Sequence, residues 1–404
     1  MSTDFPPHFL WGASTSAHQT EGNNTASDLW ALENSPHSPL GERSGDACDS
    51  LHHWQEDLDL VAELGLSAYR FSIEWARIEP VAGHYSRAML AHYRRVIEGC
   101  LSRGISPVVT LHHFTSPLWL RAGGGWTQDE APARFGAYVE AVRPYLDGVD
   151  WVCTINEPNM LAIVAAIAAN GAAGSAPAHL PEPDPRVSAA LIRAHHTARD
   201  VLARTPGLKT GWTVANQPVH TLPGAEEVAR AWRAAREDTF LQAAADDDFV
   251  GVQAYTRTVV GPEGPIAPGE DARRTLTGWE FYPGALEDAV RHTAALLPGV
   301  PLLVTENGIA TGDDEERIEY TRGALEGLRR AVADGADVRG YLHWSLLDNY
   351  EWGSYGPTFG LASVDPLTFE RRLKPSARWY GEIARAHTSA PSSASATSPA
   401  RSAR

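Results

Sequence analysis

Two glutamates, far apart in the chain, stand in matching surroundings. Glu306 closes the run Leu302-Leu303-Val304-Thr305 and precedes Asn307-Gly308, while Glu157 follows Trp151-Val152-Cys153-Thr154-Ile155-Asn156 and precedes Pro158. A short apolar or β-branched run closed by Asn-Gly reads as a buried parallel strand ending in a tight turn. A carboxylate at the C-terminal lip of such a strand faces the crevice where α/β proteins do their chemistry. Two carboxyls flanking one bond are the equipment of glycosidic cleavage: one protonates the leaving oxygen, and the other attacks the anomeric carbon or directs water onto it. Each residue alone also has a plainer reading. Glu306 would decorate a turn, and Glu157 would be a helix-start acid ahead of Pro158, a placement the helix dipole favours anyway. Matching positions at two strand ends favour the catalytic reading.

Something must bring these ends together. Strand-like runs recur at 9–13, 68–73, 107–112, 151–155, 210–214, 249–255, 302–305 and 338–344. Stretches of helical period lie between most of them, including 88–101, 133–146, 187–203, 226–244, 286–296 and 317–333. Strands alternating with helices imply a parallel sheet, and eight is the number that closes a (β/α)8 TIM barrel, in which every strand points its C-terminal end into one pit. An open doubly wound sheet is the competing architecture. It calls for a glycine-rich phosphate turn after the first strand, and Gly12-Ala13-Ser14-Thr15-Ser16 is not one. Long insertions at 20–50, 158–186 and 261–284 are expected to build a deep mouth on the strands' C-terminal side. Among the 13 tryptophans, Trp54 and Trp232 lie on helical stretches and are expected in the core.

Composition sets the class. The 404 residues carry a net charge of −16, which disfavours nucleic acid and anionic membranes as partners. Cys48, Cys100 and Cys153 have no CxxC spacing and an odd total, which suits a reducing compartment. The first seven residues lack a signal-peptide pattern, and the longest apolar stretch, 160–169, is about half of a membrane span. The expectation is a cytoplasmic enzyme of one barrel domain, 1–385, followed by a disordered Ala/Ser/Pro-rich tail, 386–404.

The motifs are specific enough to suggest a family. Asn156-Glu157-Pro158 and Thr305-Glu306-Asn307-Gly308 resemble the acid/base and nucleophile motifs of glycoside hydrolase family 1, the β-glucosidase family. Ser16-Ala17-His18-Gln19-Thr20-Glu21-Gly22, Tyr69-Arg70-Phe71-Ser72-Ile73-Glu74-Trp75, Gly123-Gly124-Gly125-Trp126, Gly278-Trp279-Glu280, the run from Trp344 to Trp352 and Phe359-Gly360-Leu361 follow in family order. The resemblance covers residues 9 to 383.

It implies a retaining, exo-acting β-glycosidase, most simply a β-glucosidase, with β-galactosidase or β-fucosidase activity as alternatives, acting on small-molecule β-glycosides or oligosaccharides without metal or cofactor. Glu306 would be the nucleophile and Glu157 the general acid and then base, with carboxyls roughly 5–5.5 Å apart. Arg70 and Tyr255 would hold Glu306, and Asn156 would bind the sugar 2-hydroxyl. Gln19, His113, Glu351 and Trp352 would grip the other hydroxyls, Trp344 would form the stacking floor, and Trp279 and Phe359 would flank the substrate. Three departures leave the choice of sugar open: Phe114 where a tryptophan is usual, Gln253 for asparagine, and Thr358 for arginine. Glu351 stands where the phospho-sugar branch holds phosphate, so like charge is expected to exclude 6-phosphoglycosides.

Other readings differ in class. A transglycosylase would share the covalent intermediate. A non-catalytic sugar-binding barrel would be signalled by loss of either glutamate, and both are present. A metal site at Asp46, Cys48, Asp49, His52 and His53 rests only on i,i+4 spacing.

Overall fold

The computed structural model describes residues 5–169 and 180–388. The expected tail from residue 389 onward, and residues 170–179 of the insertion after the fourth strand, lie outside the described residues. Eight parallel strands form a closed barrel: β1 (Leu10–Ser14), β2 (Ala68–Ser72), β3 (Ser106–Thr110), β4 (Trp151–Asn156), β5 (Lys209–Ala215), β6 (Val250–Gln253), β7 (Leu302–Glu306) and β8 (Val338–Trp344). Each pairs with the next in sequence, and β8 closes on β1 with Leu10 opposite Gly340 and Ser14 opposite Trp344. The open doubly wound sheet is thereby excluded. All eight expected runs are strands, with ends shifted by a few residues: β3 stops at Thr110, β6 at Gln253, and β7 runs through Glu306 itself.

Helices pack outside: α1 (Ser50–Glu63), α2 (Arg87–Ser102), α3 (Ala131–Val142), α4 (Pro158–Ala169), α5 (Pro185–Leu202), α6 (Glu226–Arg233), α7 (Ala285–Leu296), α8 (Asp314–Ala333) and α9 (Pro375–Thr388). Helix α9 runs past residue 385, to Thr388. His387 is buried and its Nε2 lies 3.2 Å from the Phe5 carbonyl.

One expected helix is not continuous. The stretch 226–244 breaks at a π turn, Ala234–Asp238, before the short helix Thr239–Gln242. The cause is a side chain from elsewhere. Asn159 Nδ2 donates to the Arg236 carbonyl at 2.9 Å and to the Ala215 carbonyl at 2.8 Å, and an amide entering the ladder bulges the helix. The bulge turns Glu237 inward, where it accepts from Asn216 Nδ2 and Gln217 N.

The barrel interior is layered. Ala68, Val108, Trp151, Cys153, Leu303 and Leu342, from strands β2, β3, β4, β7 and β8, converge with Phe249 in one apolar plug. Closure by inward side chains is how such a barrel becomes a packed core rather than a pore. Polar residues sit above the plug, at the strands' C-terminal ends.

Candidate active site

Arg70 is fully buried on β2. Its Nη1 donates to Glu306 Oε1 at 2.6 Å, its Nη2 to Asn156 Oδ1 at 2.6 Å and its Nε to Thr110 Oγ1 at 3.0 Å. A planar guanidinium with a fixed fork of donors thus ties β2, β3, β4 and β7 together. Glu306 Oε2 accepts a second short bond, 2.6 Å, from the Tyr255 hydroxyl.

The turn after Glu306 explains its neighbours. Asn307 Nδ2 donates to the Ala254 carbonyl at 2.6 Å, and the Asn307 carbonyl accepts from Trp344 N at 3.0 Å. A Cβ on Gly308 would lie 2.0 Å from the Trp344 carbonyl oxygen, so only glycine lets β8 pass so close.

Glu157 sits at the opposite lip. Its backbone is left-handed, φ +44°, and is pinned by its N–H donating to the Thr213 carbonyl at 2.8 Å. Phe114 (φ +66°) and Trp352 (φ +48°), which line the same cavity, share this sparsely populated conformation. Strained backbone of this kind clusters at functional sites, held by its surroundings.

The two carboxyls differ in partners, and so in proton affinity. Burial lifts Glu306 above the ordinary carboxylate range, while Arg70 and Tyr255 pull it back. Burial lifts Glu157 well above that range, and the charges of Glu306 and Glu351 add to the lift, with only Arg70 opposing. The proton shared by the pair therefore resides on Glu157.

Asn156 is committed on one side. Its Oδ1 accepts from Arg70, from Thr213 Oγ1 at 2.9 Å and from Gln253 Nε2 at 2.9 Å. Three donors fix the amide orientation and leave only its NH2 for a ligand. That NH2 faces His113 Nε2 at 3.3 Å, making Nε2 the acceptor and placing the proton on Nδ1. Burial, with Arg70 nearby, holds the His113 pKa well below its usual value, so the ring is neutral. Its Nδ1 has no partner among the described residues.

Gln19 is buried, accepting from Ser16 Oγ at 2.7 Å and donating to Asn349 Oδ1 at 3.0 Å. Trp344 Nε1 donates to Glu351 Oε1 at 3.1 Å, and the rings of Trp344 and Trp352 both lie nearly parallel to His113, 5.8 and 6.1 Å away. Phe359 and Trp279 pack against Tyr255, with ring centroids 5.9 and 5.5 Å from it. Gln19, His113, Glu157, Tyr255, Trp279, Glu306, Trp344, Glu351, Trp352 and Phe359 line one cavity of about 1120 Å³, with Arg70 and Asn156 immediately beneath. The twelve candidates for catalysis and sugar binding thus lie around one cavity.

Some expectations change. Trp232 lines this cavity instead of joining the core, whereas Trp54 does pack, half-buried, against the core. Burial raises Glu351 to about 8, with Trp344 lowering it and Glu306 adding to the rise, so it is largely uncharged at neutral pH. Like-charge repulsion at Glu351 is accordingly a weak barrier to phosphate. Where the family arginine is absent, Thr358 donates its hydroxyl to the Thr311 carbonyl at 2.8 Å, and buried Arg317 donates to the Ile309, Thr311 and Thr358 carbonyls. Asp49, just before α1, and His52, His53 and Glu56 on it pair with one another, and the Cys48 thiol donates to the Asp348 carbonyl. Sequence reasoning missed the α4 side chains Met160, Leu161 and Val164 on the cavity wall. Their run of apolar residues was the available signal.

A closed parallel barrel whose strand ends present an acid and a guanidinium-held carboxylate to one deep cavity defines a barrel glycoside hydrolase. Comparison with known proteins makes the assignment particular. The model of Glycosyl hydrolase family 1 matches residues 1–252 and 266–389, and the chain belongs to that family. Beta-glucosidase A of Thermotoga maritima is 30% identical over 440 residues, covering 94% of this chain and 97% of the relative. A bifunctional beta-D-glucosidase/beta-D-fucosidase of Bifidobacterium breve is 30% identical over 461 residues, covering 96% and 100%. Among solved structures, beta-glycosidase BGL167 superposes with a TM-score of 0.88 at 42% identity, covering 98% of this chain and 100% of that one.

Proposed function

We propose that the protein is a retaining exo-β-glycosidase that hydrolyses unphosphorylated β-glucosides by double displacement. The observation that carries this reading is the asymmetry of the carboxyl pair: Glu306 accepts two 2.6 Å bonds from Arg70 and Tyr255, while Glu157 is lifted well above the usual range by burial and by the nearby Glu306, with Arg70 opposing. One carboxyl is thereby kept as a nucleophile and the other as an acid.

In the first step a Glu306 oxygen attacks the anomeric carbon as the bond to the aglycone oxygen breaks, and that oxygen takes the Glu157 proton. The ester removes the negative charge of Glu306, so the Glu157 pKa falls and the residue becomes a base. It then takes a proton from water as that water attacks the same carbon, which releases the sugar and restores the Glu306 carboxylate. The Asn156 NH2 donates to the sugar 2-hydroxyl, and the protonated Nδ1 of neutral His113 serves a neighbouring oxygen. Trp344 provides the apolar floor for the ring.

Glucose follows from the names of the relatives. Exclusion of a 6-phosphate rests on the lining: among the described residues Arg121 and Arg257 are its only lysine or arginine side chains, and Arg257 is tied to Glu280 at 2.7 and 2.9 Å. Faster turnover of a 6-phosphoglucoside than of its parent would refute that part. The three cysteines are buried and free, in keeping with a reducing, cytoplasmic setting; no helix among the described residues is long and apolar enough to cross a membrane. Proton NMR during hydrolysis of p-nitrophenyl β-D-glucopyranoside tests the mechanism. The β-anomer of glucose appears first if the reading holds, and initial α-anomer overturns it.

A further inference from the structure

The cavity has two chemically unlike parts. One part is polar, built from Gln19, His113, Glu157, Glu306 and Glu351, whereas one side of the remaining wall is helix α4, which starts immediately after Glu157; the lining elsewhere carries Asn216, Gln217 and Arg257 among others. Helix α4 has no charged side chain. Ala162, Ile163 and Ala166 are buried, as expected for the inward face, but the outward side is apolar too: Met160, Leu161, Val164 and Ile167 line the cavity. Val164 is 51% exposed and Ile167 40%. A helix of this kind ordinarily carries polar or charged residues on its solvent side, and clustered exposed apolar side chains mark a binding surface. Trp232 and Trp279 border the same space.

Chemistry fixes what lies against this wall. The acid protonates the leaving oxygen, so the aglycone departs on the Glu157 side, where α4 begins. We propose that the α4 wall selects glycosides with an extended apolar aglycone, a long alkyl chain or a fused-ring skeleton, over disaccharides. This inference rests on the hydrolase reading above. A second sugar would press hydroxyls against Met160, Leu161, Val164 and Ile167, which offer neither donor nor acceptor, so those hydroxyls would lose water without replacement. An apolar group instead exchanges water for matching surface. At about 1120 Å³ the cavity exceeds the usual range for a small-ligand site, leaving room beyond one sugar ring.

The test is kcat/KM for methyl, butyl and octyl β-D-glucosides, used below micellar concentration, beside cellobiose. Alcohols of one homologous series leave about equally well, so a trend with chain length reports contact with the wall. The expected result is a rise of ~tenfold or more from methyl to octyl, with octyl glucoside above cellobiose. In Val164→Asp/Ile167→Asp the octyl-to-methyl ratio should fall by ~tenfold, a ratio that is insensitive to any uniform loss of active protein. A flat series, cellobiose ahead of octyl glucoside, or an unchanged ratio in the double variant overturns this inference alone. Absence of turnover on every β-glucoside overturns both it and the hydrolase reading.

Discussion

Arg70 and Glu306 meet at 2.6 Å with side chains 0% and 5% exposed, so the counter-charge of the nucleophile candidate is withdrawn from water. Such a pair is weak evidence for stability as a whole, but removing one member leaves an uncompensated buried charge. Arg70→Met should therefore lower unfolding free energy by about 3–5 kcal/mol in denaturant titrations. Without the guanidinium the Glu306 carboxylate is harder to form, so the acid limb of the kcat/KM profile should move to higher pH. An acid limb at its original position would show that Arg70 does not set the charge of Glu306.

Removal of the acid has a signature that depends on the leaving group. Glu157→Gln should slow hydrolysis of alkyl glucosides by roughly 10²–10⁴-fold, the usual worth of general acid catalysis. Dinitrophenyl glucoside, whose leaving group needs no proton, should form the glycosyl-enzyme at near the parental rate in a pre-steady-state burst. The alkaline limb of kcat/KM, which follows loss of the Glu157 proton, should vanish with it. Equal losses on both substrates would point to a structural role.

Glu351 links the site to stability. Its folded pKa of about 8 lies above the ordinary 4.5, so the folded state holds this proton more tightly than the unfolded chain. Its contribution is then fully present below pH 4.5 and is lost as pH rises towards 8. Glu351→Gln, uncharged throughout, should match the parent near pH 4 and exceed it by about 2 kcal/mol at pH 8, the full shift being discounted because the residue borders cavity water. Thermal midpoints measured across this range would check it; a constant difference would place the Glu351 pKa near its ordinary value.

Asn156 offers the substrate only an NH2, because Arg70, Thr213 and Gln253 occupy its oxygen. Asn156→Ala should reduce kcat/KM for a β-glucoside by about 10²-fold and for the matching 2-deoxyglucoside far less, since a 2-hydroxyl contact that strengthens in the transition state is missing from the latter already. Parallel losses would mean that Asn156 acts by positioning Arg70.

The barrel was legible because parallel strands buried on both faces read as continuous apolar runs, and because Glu157 and Glu306 each stand where such a run stops. The less legible features all depend on distant partners. Continuous periodicity through 226–244 hides the π turn, whose cause is Asn159 on another helix. Helical spacing puts Trp232 on an apolar stripe without revealing that this stripe faces a cavity. The charge of Glu351 depends on its burial and on the nearby carboxylate of Glu306, and no local pattern encodes either.

The central claim is that Glu306 becomes covalently bonded to the sugar. Incubation with 2,4-dinitrophenyl 2-deoxy-2-fluoro-β-D-glucoside, followed by peptide mass spectrometry, tests it most directly. A single added fluorosugar on the peptide containing Thr305-Glu306-Asn307-Gly308 is the predicted result, and a label on any other residue, or time-dependent inactivation without a label, would contradict it.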